Sequence, residues 1–211
     1  MDLVVSCYVT SFRWIFILEK YFGTIYLYFK DEVYDFEMID ILKANHTVVI
    51  EVLPNVGRCD DTFLHHIIKH REILHSFTLF SKDTLLLHKT RNMDFFNLKS
   101  FLETGSPQWF AIRQCRTKFT QSQQYQSVNY TAPYHKSKYK NLSHWYKNVI
   151  GSDLPTRILC QYGGNFCLSR DAILSNKPEI YEKCKISMSH ANNCEESHFM
   201  ERIWYHIHKA A

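Results

Sequence analysis

The chain has 211 residues, 45% hydrophobic and 22% charged, with a formal net charge of +4. That length fills one hydrophobic core and leaves little for a second, and the balance of apolar and charged residues excludes a disordered chain. The mild positive charge suits a small phosphate-bearing ligand and falls short of the dense basic footprint of a nucleic-acid binder.

Residues 3–6 are apolar and rich in β-branched side chains, and residues 24–29 and 47–53 share that character, so three strands are expected. Between them, residues 12–21 and 34–43 carry apolar side chains at helical spacing. The alternation of strand and helix predicts a largely parallel sheet. Arg13, Glu19 and Lys20 interrupt the apolar run 12–29, so no membrane span is expected. Met1-Asp2 offers no basic leader and no small-residue cleavage site follows, which points to a cytoplasmic protein. Seven cysteines, an odd number, then read as free thiols in a reducing compartment, and that compartment argues against a Cys184–Cys194 disulfide.

Beyond Pro54-Asn55-Val56-Gly57 a helix is predicted with Phe63, Leu64, Ile67, Ile68 and Leu74 on one face and Asp60 or Asp61 as its cap. Residues 76–80 read as a fourth strand, and residues 92–102 as a helix stopped by Gly105-Ser106-Pro107. Residues 120–141 are rich in Gln, Ser, Tyr, Asn and Lys without periodicity, the signature of a long mobile loop. Two short strands, 158–160 and 165–168, flank Gly163-Gly164 as a late hairpin, Ser169 caps a helix opening at Arg170, and residues 195–208 form the last helix. The expected architecture is a single α/β domain over residues 1–211.

In an open parallel sheet the ligand crevice lies beyond the carboxyl ends of the strands, so the exits carry the candidate site. The first strand ends in Ser6-Cys7-Tyr8, the third in Asn55-Val56-Gly57-Arg58, the fourth in Ser81-Lys82-Asp83, and the hairpin holds Gly163-Gly164-Asn165. Gly57 permits a tight turn and Arg58 a fixed cation at a helix start, an arrangement suited to a diphosphate; the alternative is an ordinary loop with Arg58 paired to Asp60 or Asp61. Asp83 is placed to hold Mn²⁺ or Mg²⁺ together with phosphate oxygens and water, or else is a solvated loop acid. His66 and His70 are one helical turn apart, yet no companion Cys-x-x-Cys or His-Glu-x-x-His accompanies them, which disfavours zinc there. In the last helix Glu196 is a candidate general base, and Glu201, about 140° around the helix, a candidate for a buried pair with an arginine. Lys136, Lys138, Lys140 and Lys147 alternate with Tyr134, Tyr139, Trp145 and Tyr146, a mixture that stacks on bases or sugars or is simply a solvated loop.

Three blocks carry a resemblance. Leu53-Pro54-Asn55-Val56-Gly57-Arg58 continued by Thr62-Phe63-Leu64-His65-His66-Ile67-Ile68 is the first. Gly163-Gly164-Asn165-Phe166-Cys167-Leu168-Ser169-Arg170 with Ile173-Leu174 is the second, and Glu196 followed by Glu201-Arg202-Ile203-Trp204 the third. In order and spacing they resemble a domain-of-unknown-function family of fungal, algal and large-DNA-virus proteins, and within it the glycosyltransferase domains of chlorella-virus capsid-glycan proteins. The resemblance implies a GT-A-like three-layer α/β/α fold, a UDP-sugar donor, a glycan or glycoprotein acceptor and a divalent metal, normally manganese. It implies donor contacts from Ser6, Tyr8, Asn55, Gly57, Arg58, Gly163, Gly164 and Asn165, metal binding at Asp83, and Glu196 as base if the reaction inverts configuration. Where that family has an Arg-Tyr-Asn-Glu-Asp-like segment, this chain has Cys7-Tyr8-Val9-Thr10-Ser11. A catalytically degenerate or glycan-binding module of the same fold, or a single-stranded nucleic-acid binder, are the alternatives.

Overall fold

The structure, a computed structural model, describes residues 1–8, 11–86, 92–104, 110–111, 114–118, 135–161 and 163–209. The chain gathers into two compact units, each built from separate stretches of sequence. The first unit comprises Met1–Pro54, Glu72–Arg113 and Gly163–Ile173, the second Asn55–Arg71, Gln114–Tyr162 and Leu174–Ala211. Most of the expected 120–141 loop lies outside the described residues.

The chain opens with β1 (Asp2–Cys7), α1 (Ile15–Leu18), β2 (Thr24–Lys30), α2 (Phe36–Asn45) and β3 (Thr47–Leu53). It continues through α3 (Arg58–His70) of the second unit, then β4 (Phe77–Lys82), α4 (Asn92–Thr104) and β5 (Phe110–Ala111). The remaining elements are β6 (Gln114–Lys118), α5 (Leu142–Val149), β7 (Arg157–Gln161), β8 (Phe166–Ser169), α6 (Arg170–Leu174), α7 (Pro178–Met188) and α8 (Glu195–Lys209).

The first unit is an α/β structure around a six-stranded sheet of order β3-β2-β1-β4-β8-β5. β1 runs parallel to β2 and to β4, and β2 parallel to β3. Every residue of β1 is buried, as a central strand covered on both faces requires, so its sequence is a continuous apolar run apart from Asp2 and Ser6. Strand periodicity sends Leu3, Val5 and Cys7 of β1, Ile25, Leu27 and Phe29 of β2, and Leu79 of β4 into one core with Leu18 of α1 and Met38, Ile39 and Leu42 of α2. Each such side chain contributes roughly 1.5–3 kcal/mol by leaving water. The predicted helix over residues 12–21 is shorter than expected, α1 giving way to a 3₁₀ turn at Glu19–Tyr21. Its run of aromatic and β-branched residues loses side-chain freedom in a helix and depends on burial.

One expectation fails. β7 and β8 do not form a hairpin: β7 pairs with β6 in a separate two-stranded sheet, while β8 inserts antiparallel between β4 and β5. Gly163 and Gly164, at φ 96° and 64°, turn the chain into β8. The two strands looked continuous because two glycines between short apolar runs are the ordinary mark of a hairpin.

The second unit is mainly helical. Phe63 of α3 packs on Trp204 of α8 with ring centroids 6.4 Å apart, and Trp145 of α5 on Phe199 of α8 at 5.9 Å. Asn141 caps α5 by accepting the His144 N–H at 2.8 Å. The Trp145 indole donates to Ser187 Oγ at 3.0 Å, so its one polar atom is satisfied inside the core. Among the described residues no helix is long and apolar enough to cross a membrane.

Candidate functional site

The topology singles out one end of the first unit's sheet. From β1 the chain steps outward through β2 to β3, then returns to β4 on the opposite side of β1. This reversal is a topological switch point, where the loops leaving neighbouring strands diverge and open a crevice at their carboxyl ends. Ser6 lies opposite Lys82 in the β1–β4 register, and Tyr8 and Asp83 are the next residues out.

Asp83 is 1% exposed at this position. Its Oδ2 accepts the Tyr8 backbone N–H at 2.5 Å and the Tyr34 hydroxyl at 2.7 Å, while its carbonyl accepts the Trp14 indole at 3.2 Å. Two donors thus fix the orientation of this side chain where solvent does not reach it. The Tyr34 ring is itself wedged against Phe29 and Phe12, at 5.0 and 5.9 Å between centroids. Burial, and then the Asp83 charge, push the neighbouring Cys7 thiol well up, partly opposed by its bond with Tyr34, so Cys7 stays a neutral thiol. The Tyr8 side chain is 47% exposed beside this buried carboxylate.

Asn165 ties the start of β8 to the end of β4. Its Oδ1 accepts Ser81 Oγ at 2.8 Å and the Lys82 N–H at 3.2 Å, and its Nδ2 donates to the Gly163 carbonyl at 3.1 Å. Ser6, Tyr8 and Asp83, at the exits of β1 and β4, therefore share one end of the sheet with Gly163, Gly164 and Asn165, which lead into the antiparallel β8.

Asn55, Gly57 and Arg58 belong to the second unit, where their surroundings differ from those expected. The Gly57 N–H donates to the Ala191 carbonyl at 2.8 Å and its own carbonyl accepts from Asp61 N at 3.1 Å. Arg58 Nη1 lies 2.6 Å from His198 Nδ1 and 3.8 Å from Glu201 Oε2, and the Arg58 backbone is held at φ 56°. Two aspartates fill the first turn of α3 in place of an anion: Asp60 Oδ1 accepts the Trp204 indole at 2.7 Å, and Asp61 Oδ1 accepts Lys185 Nζ at 3.1 Å and Ser189 Oγ at 2.9 Å. A diphosphate at this helix start meets two buried carboxylates, so the helix's positive end is spent on its own side chains.

Glu196, also of the second unit, is 1% exposed in the first turn of α8, with Ser137 Oγ donating to its Oε1 at 2.7 Å. With Lys136, Lys138, Lys183 and His190 it lines a groove of about 650 Å³. His66 stacks on His70 at 4.8 Å between centroids, and burial first, then His70 and His65, hold its pKa well below the ordinary value. Cys184 and Cys194 are free and buried, so no disulfide joins them. Sequence reasoning missed Tyr34, which the periodicity placed in a helix over 34–43 but which precedes α2 (Phe36–Asn45), and His198, one of three histidines on α8 with no motif to single it out.

Together these features define an α/β protein whose mostly parallel sheet presents a buried carboxylate and an exposed aromatic residue at its switch point. Compared with family models, with curated proteins and with solved structures, the chain matches none.

Proposed function

We propose that this protein is a GT-A-like glycosyltransferase that moves a sugar from a UDP-sugar to a hydroxyl of a glycan or glycoprotein. The observation that carries the reading is Asp83, a buried and doubly bonded carboxylate at the switch point between β1 and β4. The strand order β3-β2-β1-β4 is the one by which open α/β sheets place nucleotide phosphates at such a point, and it supports the same reading.

The donor set fits a hard divalent ion. Magnesium-type ions are commonly held by one or two carboxylates with substrate phosphates and water completing the shell, and Asp83 supplies one hard oxygen donor group for Mn²⁺ or Mg²⁺. When bound, that ion offsets the charge developing on the leaving diphosphate. The exposed Tyr8 ring provides a stacking face for the uracil base, and the turn at Gly163 and Gly164 lets the backbone approach the sugar without Cβ interference. Tyr34 and the Tyr8 N–H hold the Asp83 side chain in place. Glu196 is left out of this mechanism because it belongs to the second unit, whereas Asp83 and Tyr8 belong to the first.

Calorimetry of UDP with and without Mn²⁺, on the native chain and on Asp83→Asn, tests the proposal. Mn²⁺ is expected to tighten UDP binding to the native chain, and Asp83→Asn to lose at least about tenfold of that gain, one charge-assisted contact's worth. UDP affinity indifferent to both changes refutes it. A second reading, donor binding without transfer, is favoured by the single acid at this exit, since no group of three ligating side chains gathers around Asp83 among the described residues. Binding without hydrolysis of any UDP-sugar selects that reading.

A further inference from the structure

The turn joining α7 to α8 brings three different metal-binding side chains together, none of them used by the mechanism above. The ligand atoms of His190, Cys194 and Glu196 lie within 4.8 Å of one another, and among the described residues no other such group of three exists. His190 Nε2 is 3.7 Å from Glu196 Oε2, beyond hydrogen-bond range. Glu196 Oε2 is buried and accepts no hydrogen bond, although its residue is 1% exposed. A buried carboxylate oxygen left without a donor is unfavourable, and a cation between these three groups removes the penalty.

We infer that His190, Cys194 and Glu196 bind a zinc ion. The donor chemistry selects the metal: thiolate with imidazole suits zinc, whereas Mg²⁺ and Mn²⁺ prefer oxygen alone. The geometry is close to what zinc requires. Bond lengths of about 2.0–2.3 Å in a tetrahedral shell place ligand atoms roughly 3.4–3.7 Å apart, so the longest separation must shorten by about 1 Å. The His190 side chain, 48% exposed, is free to make that adjustment. The Ser137 hydroxyl on Glu196 Oε1 provides the outer-shell bond that orients a ligating carboxylate. His190 and Glu196 also line the lysine-bordered groove, the side from which an ion would enter as the exposed His190 moves.

Without the ion the Cys194 thiol donates to the Met188 carbonyl at 3.3 Å. Binding breaks the S–H bond, forms the S–Zn bond and releases one proton to solvent. This inference does not depend on glycosyl transfer.

The test uses the full chain after chelation and dialysis, titrated with Co²⁺ as a spectroscopic stand-in and then with Zn²⁺. One equivalent of Co²⁺ is expected to produce a thiolate-to-cobalt charge-transfer band, and one equivalent of Zn²⁺ to abolish it while excess Mn²⁺ does not. Cys194→Ser is expected to remove the band, and His190→Ala to weaken zinc binding at least about 10–100-fold. Asp83→Asn is expected to leave both unchanged, which separates this site from the one at the switch point. Cobalt binding without a thiolate band, or a band that survives Cys194→Ser, overturns the inference. If Cys194→Ser loses its native circular dichroism, the exposed His190 decides: unaltered zinc affinity in His190→Ala overturns it equally.

Discussion

The sequence assigns Gly57 a tight turn beside a diphosphate-binding cation, and the structure adds a packing reason for it to be glycine. Its φ is +59°, and an added Cβ would stand 2.6 Å from Asp61 Cβ and 3.0 Å from Met188 Cγ. The left-handed backbone alone disfavours alanine by roughly 1–2 kcal/mol. Met188 is flexible and yields, but Asp61 Cβ is fixed by helix α3, so the overlap adds about 1–3 kcal/mol. Gly57→Ala should therefore destabilise by about 2–5 kcal/mol. Gly151 is the internal control: it lies in the same unit at φ +89°, and its added Cβ meets nothing within 4 Å. Gly151→Ala should show the backbone term alone. Urea denaturation with a slope of about 2 kcal/mol/M should then place the Gly57→Ala midpoint about 1–2.5 M below the native one, and that of Gly151→Ala about 0.5–1 M below. If the two variants unfold at the same midpoint, the packing argument is refuted and a ligand-related role for Gly57 regains its force.

Glu201→Gln removes the carboxylate facing Arg58 at 3.8 Å; because His198 remains on the guanidinium, the loss should be about 1–3 kcal/mol, below the 3–5 typical of a fully orphaned buried charge, read as a lower Tm. His66 is held neutral by burial, so the folded state binds fewer protons than the unfolded one near pH 6 and below. Stability is full above about pH 6.5 and falls as pH drops through that value, by up to about 1.4 kcal/mol per pH unit, and His66→Gln should flatten this slope in denaturation measured from pH 7 to 5. Asn165→Ala takes the side-chain acceptor from the Lys82 N–H and leaves the Ser81 hydroxyl only its longer bond to the Lys82 carbonyl, and should lower stability by about 1–3 kcal/mol, whereas Asn165→Asp, which keeps an acceptor oxygen, should lower it less.

The parallel core was legible because β1, β2 and β3 are short β-branched runs separated by segments of helical period, and such patterns are local. The site at the switch point was legible for the same reason: Ser6, Tyr8 and Asp83 follow directly from where β1 and β4 end. What escaped is non-local. Nothing in residues 158–168 reveals that β7 finds β6 and β8 finds β4, because both strands are too short for pattern to fix a partner. Tyr34 meets Asp83 across 49 positions and Trp204 meets Asp60 across 144, contacts that only the assembled fold defines. The cation expected for a diphosphate was placed by a local motif, Gly57-Arg58, whereas its true neighbours His198 and Glu201 come from the last helix.

That last helix shows how one element serves two ends. Glu196 and Glu201 are five residues apart, hence about 140° around α8, and no single partner reaches both. Each is almost wholly buried, at 1% and 7% exposure, so each needs its own compensation. Glu201 finds Arg58, whose left-handed backbone at φ 56° is tolerated because His198 and Glu201 hold its side chain from the same helix. Glu196 finds Ser137 for one oxygen and only the His190–Cys194 cluster for the other. The asymmetry follows from position: residue 201 faces α3, an element that brings a fixed cation, whereas residue 196 faces the turn after α7, whose cation must come from solution.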